Sequence, residues 1–273
     1  MKIIKTINEL QQYRQTISSS VGFVPTMGAL HDGHISLIKH SLEQNNITIV
    51  SIFVNPTQFL ANEDLDKYPR KDQADIKICE LLGVDILFMP DINTIYTTDE
   101  VTIKAPKLKG YILEGYNRAG HFDGVLQIVL KLFNLTKPTK AYFGKKDAQQ
   151  LALIKQMVKD FYIDIDICEC EIIREESGLA LSSRNVYLTK QQKKDALKIS
   201  ASLKVATNMI QSGIFDTKQI IKEMEKTMDT IDIQYIAILS RDLTPIQTLE
   251  IKNSIILVAA KIADTRLIDN IWI

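Results

Sequence analysis

Cysteine is scarce in this chain of 273 residues: Cys79, Cys168 and Cys170 are its only three. An odd number without paired spacings excludes a disulfide framework and leaves reduced thiols. Histidine is nearly as rare, at His31, His34, His40 and His121. A structural zinc site, which recruits several His, Cys or carboxylate ligands, has little to draw on. Net charge is absent as well. Lys plus Arg balances Asp plus Glu at 33 each, which argues against nucleic acid or an anionic membrane as a partner while allowing a local basic pocket. No apolar run approaches the length of a membrane span, and the N-terminus has no apolar signal core. Internal repeats and low-complexity tracts are missing too. A cytoplasmic globular chain is the expectation. Its 45% hydrophobic residues suffice for a core, and its length allows one large domain or two moderate ones.

What is present concentrates in Gly22-Phe23-Val24-Pro25-Thr26-Met27-Gly28-Ala29-Leu30-His31-Asp32-Gly33-His34. The apolar run from Val21 to Val24 reads as a buried strand. Pro25, Gly28 and Gly33 break it, and the amphipathic segment from Ile35 to Leu42 reads as the helix that follows. His31 should lie just before that helix and His34 in its first turn, on one side at i, i+3 spacing. A helix start carries unpaired N–H groups and a partial positive charge. Imidazole and backbone donors there make a phosphate site. The pattern matches the HxGH form of the HIGH-type signature of nucleotidyl-transfer enzymes. The competing reading is a two-histidine metal site, which the shortage of further ligands disfavours.

The first two-thirds of the chain alternates strand-like and helix-like patterns. Strand-like runs fall at Ile47 to Val54, Val84 to Phe88, Ala141 to Phe143 and Ile163 to Ile173. Helical patterns fall around Asp72 to Leu82, Gly124 to Leu135 and Ala148 to Phe161. This alternation predicts an α/β fold, a doubly wound parallel sheet with helices on both faces and ligands at the carboxyl ends of its strands. Cys168 and Cys170 share one face of the last strand and read as small side chains on a sheet. Composition changes after Asn185: residues 189 to 228 are rich in Lys and Gln with helical periodicity. Short strands follow at Tyr235 to Leu239 and Ile255 to Ala260. Two domains are expected, a Rossmann-like one over 1–180 and a smaller α+β lid domain over 181–273.

Four further segments carry chemistry. Asn55-Pro56-Thr57-Gln58 ends a strand in amides, suited either to a hydroxylated substrate or to a plain turn. Gly144-Lys145-Lys146-Asp147-Ala148-Gln149-Gln150 is a glycine loop opening a helix, where one lysine can reach phosphates. Arg174 to Asn185 is a polar loop containing Ser182-Ser183-Arg184. Leu113 to Gly124 sets Arg118 and His121 among glycines ahead of a helix, a candidate lining for an anionic pocket.

In combination and order, PTMGALHDGH, VSIFVNPTQF, DLDKYPR, AGHFDGV, FGKKDAQQL, REESGLALSSRN and TRLIDN resemble the pantothenate synthetase family over nearly the whole chain. Ala119 stands where the family usually has proline, and Ser177 where it commonly has aspartate. The resemblance implies a ligase that condenses pantoate with β-alanine using ATP. The carboxylate of pantoate attacks the α-phosphorus to give pantoyl adenylate and pyrophosphate, and β-alanine then displaces AMP. It implies His31, His34, Lys146 and Arg184 as catalytic groups. Met27, Gly28, Gly144, Asp147, Ser182 and Ser183 join them around ATP, with Asp147 at the ribose. Pro25, Thr26, Met27, Asn55, Gln58 and Gln150 are placed around pantoate, with Tyr68, Arg118 and His121 as further pocket residues. Mg²⁺ is implied on the phosphates, with Asp75 near a metal-binding acidic segment, and the family suggests a homodimer. A nucleotidyltransferase making a dinucleotide cofactor would share the HxGH start but lack the Asn-Pro-Thr-Gln and Ser-Ser-Arg-Asn loops.

Overall fold

The structure, a computed structural model, describes residues 1–61 and 63–273. Among them six parallel strands form one sheet: β1 (Lys2–Ile4), β2 (Val21–Thr26), β3 (Ile47–Ile52), β4 (Ile86–Phe88), β5 (Lys140–Gly144) and β6 (Asp166–Cys170). Their spatial order is β1-β4-β3-β2-β5-β6. The chain winds outward from β2 through β3 to β4, then returns to β5 on the other side of β2. The order therefore reverses at β2, and the crevice beyond its carboxyl end is where open α/β sheets bind ligands. β2 is buried along almost its whole length, as a strand covered on both faces must be, and so it reads as an apolar run rather than an alternation. Pro25, which has no N–H, lies beyond the last β2–β5 pair at Phe23 and Ala141, so it costs that ladder no hydrogen bond.

The helices of this part are α1 (Ile7–Gln15), α2 (Asp32–Gln44), α3 (Asp72–Leu82), α4 (Ile92–Ile95), α5 (Glu114–Asn117), α6 (His121–Thr136) and α7 (Ala148–Asp160). Val24, Ile38, Val50, Cys79 and Leu87 close one core layer between sheet and helices. The later part holds α8 (Lys190–Gln211), α9 (Thr217–Thr227) and an antiparallel sheet of β7 (Asp232–Ser240), β8 (Ser254–Ile262) and β9 (Thr265–Trp272), in the order β7-β8-β9. Its core joins Ala196, Ile199 and Leu203 of α8, Ile220 and Met224 of α9, and Ile256, Val258 and Ala260 of β8.

The doubly wound parallel sheet and the smaller α+β part are as expected. The chain forms two compact units: Met1–Lys145 with Gln149–Glu171, and Lys146–Ala148 with Ile172–Ile273. The sequence reading divides the chain at 180/181. Element ends differ from the sequence reading in several places. The strand expected over Ile163 to Ile173 is paired only over Asp166–Cys170, because its partner β5 ends at Gly144. Strand β9 has no counterpart in the sequence reading. Its buried Asp269 and Asn270 interrupt the apolar signal of a strand.

Candidate functional site

The histidine turn is built by the helix it opens. His31 is the N-cap of α2, and its Nδ1 accepts from the Gly33 N–H at 3.1 Å. The Nδ1 of His34 accepts in turn from the His31 N–H at 3.4 Å. The two rings thus close a reciprocal capping box, the arrangement that usually joins Ser or Thr to Glu. Their centroids lie 4.1 Å apart. A neutral imidazole that accepts at Nδ1 carries its proton on Nε2. Two backbone N–H groups of this turn are thus satisfied internally.

The loop ahead of the cap takes a left-handed path, with φ of 83° at Gly28 and 50° at Ala29. Asp75 of α3 holds it there: its two carboxylate oxygens accept from the N–H groups of Ala29 and Leu30, each at 2.8 Å. Asp75 is 1% exposed. Burial raises its pKa, against the pull of the two amides. Asp75, which the resemblance sets near a metal-binding acidic segment, anchors the loop backbone through both of its oxygens. Among the described residues no three His, Cys, Asp or Glu side chains gather as a metal-ligand set. Thr26 Oγ1 donates to the Ser51 carbonyl at 2.7 Å and accepts from the Gly28 N–H at 3.2 Å, tying the loop to β3.

The end of β3 brings three expected residues together. Gln58 Nε2 lies 3.0 Å from Met27 Sδ, and Asn55 Nδ2 donates to Gln58 Oε1 at 3.1 Å. Asn55 is further fixed by Tyr96, whose hydroxyl donates to its Oδ1 at 2.7 Å, and by the Gly124 carbonyl at 3.2 Å. Asn-Pro-Thr-Gln forms the turn the sequence allowed, a 3₁₀ turn over Pro56–Gln58, and that turn orients the Asn55 and Gln58 amides toward each other. Tyr68 is buried, edge-on to Phe59 at 5.7 Å.

Arg118 and His121 are bonded to one another, to Glu63 and to the Gln58 carbonyl. Glu63 grips the Arg118 guanidinium with both oxygens, one of them 2.6 Å from Nη2. Arg118 Nη1 lies 3.0 Å from His121 Nε2, and His121 Nδ1 donates to the Gln58 carbonyl at 2.7 Å. His121 is 7% exposed; burial, then the neighbouring Arg118 charge, push its pKa down to about 4. Burial alone would raise Glu63, but the hydrogen bond and charge of Arg118 outweigh it and leave its pKa lowered. The Arg118 charge is thus met by Glu63, and the His121 pKa is held low. Sequence reading missed Glu63, which carries no motif signal.

Gly144 ends β5, and Lys145 is ion-paired with Glu171. The helix begins at Ala148, where its pattern predicts, after a 3₁₀ turn over Lys145–Asp147. Gln150 lies in its first turn. The neighbouring Gln149 is the buried glutamine, bonded to the Glu114 N–H and to the Lys109 and Ile112 carbonyls.

Within the second unit, Lys146 Nζ lies 3.4 Å from Asp147 Oδ1. Asn270 Nδ2 holds the Lys146 carbonyl at 2.8 Å. The loop from Arg174 to Asn185 is closed by Arg174, which grips Asp269 at 2.6 and 2.8 Å and also donates to the Gly178 carbonyl. Ser182 Oγ then caps the 3₁₀ turn Ser183–Tyr187 by accepting from the Arg184 N–H at 3.3 Å, which puts Ser182, Ser183 and Arg184 on one short turn. Asp269 and Asn270 were part of a recognised motif, yet no local pattern pointed to either role.

Residues 2–272 match the family model described as pantoate-beta-alanine ligase. A pantothenate synthetase of Aliarcobacter butzleri is 58% identical over 273 residues, covering all of both chains. A crystal structure of pantothenate synthetase from Thermus thermophilus superposes with a TM-score of 0.95 at 34% identity, covering 100% of this chain and 99% of that one. A pantoate-beta-alanine ligase from Francisella tularensis, complexed with beta-gamma ATP and beta-alanine, superposes with a TM-score of 0.84 at 41% identity, covering 100% and 97%.

Proposed function

This chain belongs to the pantoate-beta-alanine ligase family and is a ligase, and from that premise we propose that it uses ATP to join pantoate to β-alanine through a pantoyl adenylate. The observation that carries the reading is the adjacency of two kinds of site at the sheet's reversal point. β2 leads into paired imidazoles with protons on Nε2, and neighbouring β3 leads into the Met27–Gln58–Asn55 amide cluster. The first suits phosphate oxygens. The second suits a small hydroxy acid, since amides both donate and accept.

In the first step a pantoate carboxylate oxygen bonds to the α-phosphorus and the bond to pyrophosphate breaks. The carboxylate is ionised at neutral pH, so no base or Ser/Cys nucleophile is needed. The demand is for donors on the charge that builds at phosphorus. That role is proposed for His31, His34, Lys146 and Arg184, with amide or hydroxyl donors of Ser182, Ser183 and Gly144 for the phosphates and Asp147 for the ribose. Gln58, Asn55, Gln150, Pro25, Thr26 and Met27 hold pantoate. In the second step the β-alanine amine attacks the acyl carbon and AMP leaves with the bridging oxygen. Mg²⁺ bound to the ATP phosphates would screen their charge. A Francisella tularensis relative complexed with beta-gamma ATP and beta-alanine supports both substrates.

Pantoate labelled with heavy oxygen in its carboxylate tests the mechanism. Label should appear in AMP, because the adenylate bridges through that oxygen. Label in pyrophosphate or water and none in AMP overturns it.

A further inference from the structure

The segment Arg118 to Gly124 has no role in the chemistry above, yet it is tightly engaged. His121 Nδ1 and Arg118 Nη2 both donate to one acceptor, the Gln58 carbonyl, at 2.7 and 3.3 Å. Arg118 Nη1 lies 3.0 Å from His121 Nε2. With Nδ1 donating, Nε2 must accept, so the guanidinium sets the tautomer that serves Gln58. Glu63 holds that guanidinium in a bidentate grip, which fixes its plane. One turn later α6 meets the same chain segment directly. A Cβ on Gly124 would lie 2.2 Å from the Thr57 carbonyl oxygen and 2.7 Å from the Gln58 nitrogen. Only glycine admits this approach. The backbone of Gln58 is therefore pinned at its carbonyl and packed at its nitrogen, while its side chain reaches Met27 and Asn55.

We propose that Glu63, Arg118, His121 and Gly124 form a positioning device that sets where Gln58 presents its amide, and thereby sets affinity for the hydroxy acid without touching it. The inference rests on the reading of Gln58 as a pantoate ligand. An amide suits the hydroxyl groups of such a substrate rather than its reacting carboxylate, so displacing Gln58 should weaken ground and transition states alike. That raises KM and spares kcat.

The test is steady-state kinetics with each substrate varied in turn, alongside thermal unfolding. His121→Leu removes the donor to a buried carbonyl and should raise the pantoate KM about tenfold, with the ATP KM within about twofold and kcat nearly unchanged. His121→Asn places an amide N–H where the ring carries Nδ1, and should recover most of the loss. Gln58→Ala should raise the pantoate KM by itself, and adding His121→Leu to it should change little more. If His121→Leu does not fold, Glu63→Gln, which keeps shape but releases Arg118, should show the same KM split. An unchanged pantoate KM in the His121 or Glu63 variants, with Gln58→Ala impaired, overturns the positioning device alone. So does an equal rise in the ATP KM. An unchanged pantoate KM in Gln58→Ala overturns the pantoate reading, and the device with it.

Discussion

Two buried aspartates, one in each unit, tether the histidine loop and the Arg174–Asn185 loop, and they do so by different physics. Asp75 in the first unit, 1% exposed, holds the histidine loop through two neutral backbone amides. Asp269 in the second, 3% exposed, holds the Arg174 loop through a guanidinium. Amides cannot neutralise a carboxylate. Burial accordingly raises the pKa of Asp75, and its worth lies in fixing a left-handed backbone path. The Asp269 pair sets two full charges against each other. Such a pair contributes modestly when intact, but removing one partner leaves a poorly solvated charge behind. A loop can thus be held firmly at little electrostatic risk, or held with more at stake if the tether is cut.

The sharpest probe concerns the cations the second tether serves. Asn270, next to Asp269, fixes the Lys146 backbone, whereas Lys145 is paired with Glu171 in the first unit. Lys146→Ala should slow turnover by at least roughly a hundredfold, about 3 kcal/mol of lost transition-state contact. Lys145→Ala should change the rate only slightly. Comparable losses in initial-rate assays would break the assignment.

Next in size is the comparison of the tethers themselves. Asp269→Asn should destabilise the chain by about 3 kcal/mol, since Arg174 keeps its charge and loses its counter-ion. Asp75→Asn should cost about 2 kcal/mol, because its amide can accept from only one of the two N–H groups and leaves the other unsatisfied. Urea denaturation of both variants measures the difference, and an Asp75 variant that loses more than the Asp269 variant would reverse the comparison.

The smallest expected effect is a pH dependence. The His121 pKa is pushed down to about 4 by burial and then by Arg118, with Gln58, Glu63 and Glu114 pulling the other way. Its unfolded value is about 6.5. The unfolded chain therefore binds the extra proton first, so this contribution is complete above the unfolded pKa and is lost as pH falls toward the folded one. Moving from about pH 7.5 to about pH 5.5 should remove about 1 kcal/mol, and His121→Asn should lack that component. Glu63 adds nothing in this window, because its lowered pKa matters only below the ordinary carboxylate range. A wild type and variant with parallel pH profiles would contradict the buried neutral histidine.

Much of this was legible in the chain because it is local. The strand at Val21, the breaks at Pro25 and Gly28, and the placing of His31 before a helix and His34 within its first turn all follow from spacing over a dozen residues. The helix over Asp72 to Leu82 has the expected ends, set by Gly83 in a left-handed C-cap. The parallel sheet followed from alternation, and the family from the order of seven motifs. By itself the sequence determined the fold class, the ligase family and the residue types on each loop, since periodicity and turn chemistry act between neighbours.

Only the tertiary structure decided what those residues are bonded to. It turned the imidazole Nδ1 atoms inward as caps, spent Asp75 on backbone amides, and neutralised Arg118 with Glu63, 55 residues away. It also gave the second loop an anchor in Asp269, 95 residues from Arg174. The physical reason is that a charge or a donor shows its type in sequence but not its partner. A buried polar group must find a partner wherever the folded chain supplies one, and that choice is made by packing across the fold rather than by the residues alongside.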